Sequence, residues 1–279
     1  MQAPGVREHR VTVAKLMAWP SKLPYDFFCC LSSGVCLTDD QNKSLDVLGI
    51  KPASEAVNVL TRATAQGLGA FLSRICLPAA EEFGFLLRDR VSSWRASNAE
   101  KVVNKAKHLC DKLPNGSACH AHPRLVNLAI EQGSWCDDDD IQDMWGGLIA
   151  SSCTKTGKEQ DNLIFMNLLA QITPSEARLI GFCCESVKKY RFKSGTLGTK
   201  EYLYASVGEL LKVSGNIDVL KLDLEIDHLR EIGLLWPIAG IGDDSDKVLI
   251  SPSSIALQLY VRCKGHVGSP LEYFDLHVS

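Results

Sequence analysis

Apolar residues recur at intervals of three and four along most of this chain, the spacing of helices that bury one face. The pattern sets in at Lys51-Pro52, where proline suits a first helical turn and Ala53, Ala56, Val57 and Leu60 follow. It continues through Gly67, Phe71, Leu72 and Ile75 to Pro78, which should end or kink the helix. A second long helix is predicted to carry Phe83, Leu87, Val91, Trp94, Asn98, Val102, Ala106 and Leu109 on one face, which puts Trp94 in the core. After the loop Pro114-Asn115-Gly116-Ser117, a short helix is expected over 123–131, ending at Gly133.

The next helix has the best-marked start in the chain. Four consecutive carboxylates, Asp137 to Asp140, precede Ile141, Met144, Trp145, Leu148 and Ile149. Acids suit the positive end of a helix, and one of them can cap it. A turn at 155–158 leads to a helix with Leu163, Phe165 and Leu168, and Thr173-Pro174-Ser175-Glu176 reads as a capping box opening a helix towards Tyr190.

Glycines 195 and 198, in a stretch rich in Lys, Arg, Ser and Thr, mark a predicted boundary. Beyond it the order is helix (201–212), helix (218–234), hairpin (236–250) and helix (252–263), which suggests a winged-helix-like module. The fold class expected is therefore mainly α: a helical bundle over 51–190, then a small winged-helix-like C-terminal module over 201–265. Residues 1–50, punctuated by Pro4, Pro20 and Pro24, read as a poorly packed or disordered leader, and 266–279 as a tail without signal.

Composition narrows the class. With 279 residues, 46% of them hydrophobic and 23% charged, the chain can bury one large core or two modest ones. No apolar run reaches the ~20 residues of a membrane span; the nearest, Gly67 to Leu87, is broken by Arg74, Glu81 and Glu82. Eleven cysteines are scattered without a Cys-x-x-Cys pair, and no secretory signal is evident. A reducing cytosol with thiols as core fillers is the expectation, and peripheral membrane contact on activation stays open.

The net charge of −3 gives no general attraction to nucleic acid. One local exception is Arg88 to Lys112, where seven basic residues stand against three acidic ones. Arg88, Arg90, Trp94, Arg95, Lys101 and Lys105 are its candidate binding residues, for an anionic membrane surface or a nucleic-acid backbone, with a solvated face as the plainer reading. The C-terminal module has seven Lys and Arg against ten Asp and Glu from Lys200 to Gly265, which disfavours phosphate binding and favours protein contact or self-association.

Catalytic motifs are absent. Gly157-Lys158 lacks the rest of a P-loop, and there is no Gly-x-Ser-x-Gly, His-Glu-x-x-His or Gly-x-Gly-x-x-Gly. Nor is there an arginine followed by a histidine with four to six residues between them, as in HEPN-type ribonucleases. Asp137 to Asp143 with His120 or His122 is the one place where an acid/base or cation site would gather, but neighbouring aspartates point to different helical faces. Cys110, Cys119, His120, His122 and Cys136 supply zinc-ligand chemistry without a standard spacing. No cofactor or metal is assigned.

Three stretches carry a family likeness: Leu77-Pro78-Ala79-Ala80-Glu81-Glu82-Phe83-Gly84 leading to Asp89-Arg90-Val91 and Trp94-Arg95; Ser134-Trp135 with Asp138 and Gln142-Asp143-Met144-Trp145; and Leu229-Arg230-Glu231-Ile232-Gly233-Leu234 with Ala256-Leu257. In these the chain resembles the bacterial abortive-infection alpha (Abi-alpha) family, over roughly 51–265. The resemblance implies a role in phage defence and brings no established catalytic set. It leaves the phage trigger and host target unnamed. The preferred expectation is a non-enzymatic helical effector or sensor acting on a membrane or a host protein, with a hydrolase or nuclease near Asp137 to Asp143 and a harmless regulatory binding protein as alternatives.

Overall fold

The computed structural model describes residues 67–88, 93–113, 120–241 and 246–278. The described chain is mainly helical. A helix over 67–75 (α1) breaks at Cys76, and α2 (Leu77–Arg88) begins beside Pro78, as proline at the first turn allows. There follow α3 (Ser93–Cys110), α4 (Pro123–Ser134), α5 (Asp139–Ser151), α6 (Asn162–Leu169) and α7 (Pro174–Ser186). The hairpin β1 (Tyr190–Arg191) and β2 (Leu197–Gly198) leads to β3 (Tyr204–Ser206), α8 (Val207–Ser214), α9 (Val219–Glu231), β4 (Gly240–Ile241), β5 (Lys247–Leu249) and α10 (Ser254–Cys263). The short α11 (Pro270–Tyr273) and β6 (His277–Val278) complete the order.

Helix α5 lies at the centre because its sequence leaves it almost no polar face. Nine of its residues are buried, Trp145, Leu148 and Ile149 among them, and it packs on α3, α4, α6, α7 and α10. Small residues let those neighbours come close. A Cβ built on Gly146 would stand 2.8 Å from the Lys105 Cβ and 3.1 Å from the Ala106 nitrogen of α3. One buried apolar cluster runs from Leu68 to Cys263.

Caps fix the helix starts where the sequence marks them. The Asp138 carboxylate accepts from the Asp140 and Ile141 amides at 3.0 and 3.2 Å. At α7 both halves of the Thr173/Glu176 capping box are made. Asp218 caps α9 and Ser253 caps α10.

Among the described residues there are two small sheets. In one, β1 pairs antiparallel with β2 and parallel with β6. The other has the order β3-β5-β4, all antiparallel, with α8 and α9 between β3 and β4.

Several expectations need correction. The helix placed over 201–212 starts only at Val207, because the Ser206 hydroxyl takes the Glu209 amide and caps it; Tyr204 and Ala205 before it pair with Leu249 and Val248. The helix expected to run towards Tyr190 stops at Ser186, and Tyr190 enters β1. The tail read as featureless contains α11 and β6. The single helix from Phe83 to Leu109 is carried by α2 and α3, with 89–92 outside the described residues. So too are the leader, the helix start at Lys51-Pro52, the loop at Pro114 to Ser117 and the tip of the β4–β5 hairpin.

Candidate functional site

The acidic start of α5 is a clasp. Asp138 caps the helix and meets Arg178 of α7 at 3.3 Å, with Asp140 3.4 Å from the same guanidinium. Arg178 also donates twice to the Ser214 carbonyl at the end of α8, at 3.2 and 2.9 Å. On the other side, the Lys105 ammonium of α3 reaches Asp143 at 2.5 Å and Asp139 at 3.7 Å. Four acids therefore hold α3, α7 and α8 around one helix end. The histidines paired with this run in the sequence reading are employed elsewhere: the His120 backbone bridges to Thr154, and His122 Nδ1 caps α4.

The zinc-type residues do not converge. Cys110 is buried with its thiol 3.7 Å from that of Cys153, while Cys136 donates to the Gln132 carbonyl. Cys119 is outside the described residues, among which no group of three His, Cys, Asp or Glu side chains is arranged to hold a metal.

Next to the clasp is an aromatic face. Trp94, in the first turn of α3, and Trp135, at the end of α4, lie with ring centroids 6.5 Å apart and are 47% and 57% exposed. Placing Trp94 in the core was wrong: the first turn of α3 reaches past the core to the end of α4. Arg95 holds the Trp135 ring. Its guanidinium sits 4.0 Å over the Trp135 ring, donates to Ser134 Oγ at 2.9 and 3.1 Å, and meets Glu131 at 2.7 Å. The Trp135 indole N–H completes the tie by donating to Glu131 at 3.3 Å. A groove of about 360 Å³ continues from Trp135 past Ile141, Leu169, Ile172 and Pro174.

The other signature residues are structural. Ser134, Gln142 and Trp145 are buried. The Gln142 amide donates to the Cys136 carbonyl at 2.7 Å and to Asn98 at 3.4 Å, tying the α4–α5 turn to α3. Met144 is half-buried, and Lys101 is exposed on α3. Arg90 lies outside the described residues, as does the side chain of Arg88.

Sequence reasoning missed Arg178 and the cleft beside it. This cleft, about 390 Å³, lies between α5, α7, α8 and α10, with Met144, Gly181 and Phe182 in its wall and Glu185, Tyr260 and Lys264 among its polar lining. Its parts are up to 124 residues apart in sequence, from Asp140 to Lys264, so no local pattern announces them. The Tyr260 hydroxyl donates to Glu185 at 2.7 Å; burial and this carboxylate push the phenol well above its ordinary range.

Together these features define a mainly helical protein with an acid-capped central helix and an exposed aromatic face. Among the described residues no helix is long and apolar enough to cross a membrane. The family model described as abortive infection alpha (Abi_alpha) matches residues 95–248, more than half of the chain, and the chain belongs to that family. Membership points to an abortive-infection-type protein. The match opens at Arg95 and spans the clasp; Leu77 to Trp94 and Ala256-Leu257, included in the likeness expected from the sequence, fall outside it. Neither a curated protein nor a solved structure matches the chain.

Proposed function

We propose that this is a phage-defence protein of the abortive-infection type that works without catalysis, by binding a host protein through the Trp94–Trp135 face. The carrying observation is the pair itself. Two large aromatic rings stand side by side, both about half exposed, with Arg95 stacked on the Trp135 ring, and tryptophan and arginine are the residue types that dominate binding hot spots. A host protein is favoured over an anionic membrane because much of the basic character of α3 is spent internally. Arg95 is paired with Glu131, Lys105 with Asp139 and Asp143, and Lys107 with Asp111. A hydrolase is disfavoured because Asp138, Asp139, Asp140 and Asp143 each face a cation that serves packing.

The same reading keeps a helical domain over 51–190 and a winged-helix-like module over 201–265, in the cytoplasm. Support for the module is the strand order β3-β5-β4 with two helices between its first two strands in sequence, the later helix, α9, standing where a winged helix carries its recognition helix.

The test is controlled expression in bacterial cells with and without phage, recording viable counts and membrane potential. Wild type should arrest growth or protect the culture with an intact potential, and Trp94→Ala/Trp135→Ala should abolish this while melting as wild type does. Unchanged protection in the double variant would remove the proposal. Early depolarisation would transfer the action to a membrane, and loss of activity in folded Asp139→Ala or Asp143→Ala would reinstate a hydrolase.

A further inference from the structure

Helix α9 is apolar on two sides. Leu222, Ile226 and Leu229 turn inward and are fully buried. Outward, Ile217 in the turn before the helix, Leu220 and Leu224 stand 99%, 79% and 68% exposed. Scattered surface leucines need no explanation. Leu220 and Leu224 do, because they stand one turn apart on the outer side of α9 with Ile217 just ahead of the helix, an apolar strip of the kind that receives another helix.

The seam continues in the same rhythm with Asp227 and Glu231, and Asp223 flanks it. Asp227 meets Arg230 at 2.6 Å, while Glu231 is exposed at the end of the helix. The exposed Lys221 lies beside the apolar half, 3.9 Å from Glu225, and with Asp223, Asp227 and Glu231 against Lys221 and Arg230 the surface is apolar in its first half and carries a net acidic excess towards its second. That order selects among occupants. Phosphate backbones are repelled by the acids. A second copy packed parallel would set Asp227 and Glu231 against themselves, and packed antiparallel along the whole helix would lay these charges on Ile217 and Leu220 of the other copy.

We infer that the outer face of α9 docks an amphipathic helix of another protein, one that places large apolar side chains against Ile217, Leu220 and Leu224 and lysine or arginine against Asp227 and Glu231. The seam supplies the contact area, and the acids set orientation and exclude acidic helices. This surface is separate from the Trp94–Trp135 face and does not depend on it.

The test uses the full chain and two labelled peptides of about 20 residues, long enough to form a helix. Both carry one leucine stripe; one has lysine and the other glutamate at the flanking positions. Fluorescence anisotropy should show binding of the lysine peptide and little of the glutamate peptide, with Leu220→Ser/Leu224→Ser weakening binding about tenfold or more. Asp227→Lys/Glu231→Lys should invert the preference, a gain of binding that misfolding cannot mimic. Equal binding of both peptides, or variants without effect, would overturn the proposal. So would a concentration-dependent dimer abolished by Leu220→Ser/Leu224→Ser, which would give the seam to a second copy, or displacement of the peptide by duplex DNA. Trp94→Ala/Trp135→Ala should leave peptide binding unchanged, so this result and the one for the aromatic face stand or fall separately.

Discussion

Gly147 of α5 and Cys263 of α10 meet backbone to backbone: a Cβ built on Gly147 would stand 1.7 Å from the Cys263 carbonyl oxygen and 2.3 Å from its carbon. No side-chain rotation relieves such a clash, so any substitution must drive the two helices apart. Gly147→Ala should therefore cost about 3 kcal/mol or more. Gly181 of α7 is the control, since nothing lies within 4 Å of its added Cβ. There alanine removes a helix-weakening glycine and should stabilise by about 0.5–1 kcal/mol. Urea unfolding of the two variants decides this; similar midpoints would show that α5 and α10 are not held in this contact.

Glu176 serves two partners from a buried position. One oxygen accepts the Thr173 amide at 2.7 Å as part of the capping box, and the other lies 2.6 Å from His228 Nδ1 of α9. Next to it, the buried Glu225 of α9 accepts from Ser175 and Asn216 at 2.5 and 2.6 Å. Glu176→Ala should cost about 1–3 kcal/mol, because it removes the carboxylate half of the capping box and leaves the Thr173 amide and His228 short of a partner. A double-mutant cycle with His228→Ala should show coupling above about 0.5 kcal/mol. Additive effects would mean that the pair does not join α7 to α9.

Three buried thiols of α7 and α10 should be inert. Burial pushes Cys183, Cys184 and Cys263 well above the ordinary thiol range, and a neutral thiol is a poor nucleophile. In the native protein at neutral pH a thiol-specific disulfide reagent should leave all three unlabelled, as mass spectrometry of peptides will show, and unfolding should expose them. Rapid native labelling of Cys184 would mean that the α7–α10 packing opens.

Much of the helical order is legible in the sequence because a helix is a local object. The stripe from Ile141 to Ile149 and the Thr173/Glu176 box each lie within a few turns, and both are where the pattern puts them. Strand β3 was missed because three residues beside a helix cap have no period; Tyr204 becomes a strand residue only when Leu249, 45 positions on, arrives to pair with it. Trp94 misled for a related reason. Its spacing from Asn98 is correct for the core face, but a stripe says nothing about where the core ends, and Trp135 meets it beyond that edge. The clasp is invisible to periodicity altogether, since Lys105 with Asp143 and Arg178 with Asp138 join positions 38 and 40 apart. Gly146-Gly147 was the readable hint of close helix packing on both sides of α5.

The loop after α5 predicts an acid that stays charged far below its usual range. The Glu159 carboxylate accepts from Thr154 Oγ1 at 2.5 Å, from Thr156 Oγ1 at 2.7 and 2.8 Å, and from the Lys158 amide at 3.0 Å. These donors, Thr154 foremost, hold its pKa down to about 2 against an ordinary 4.5. A depressed carboxylate contributes stability that is fully present above the unfolded value of 4.5 and is lost as pH falls through about 2. Carbon-detected titration of the side chain should thus find Glu159 still ionised at about pH 3. Thr154→Val should raise its midpoint towards 4.5 and move the acid limb of the stability curve to higher pH. The direct hydroxyl bonds make this shift less sensitive to salt than a surface ion pair would be. A wild-type midpoint near 4.5 would show that the threonines do not hold the carboxylate in solution, and the loop that brings Gly157 against His120 would then lack this fastening.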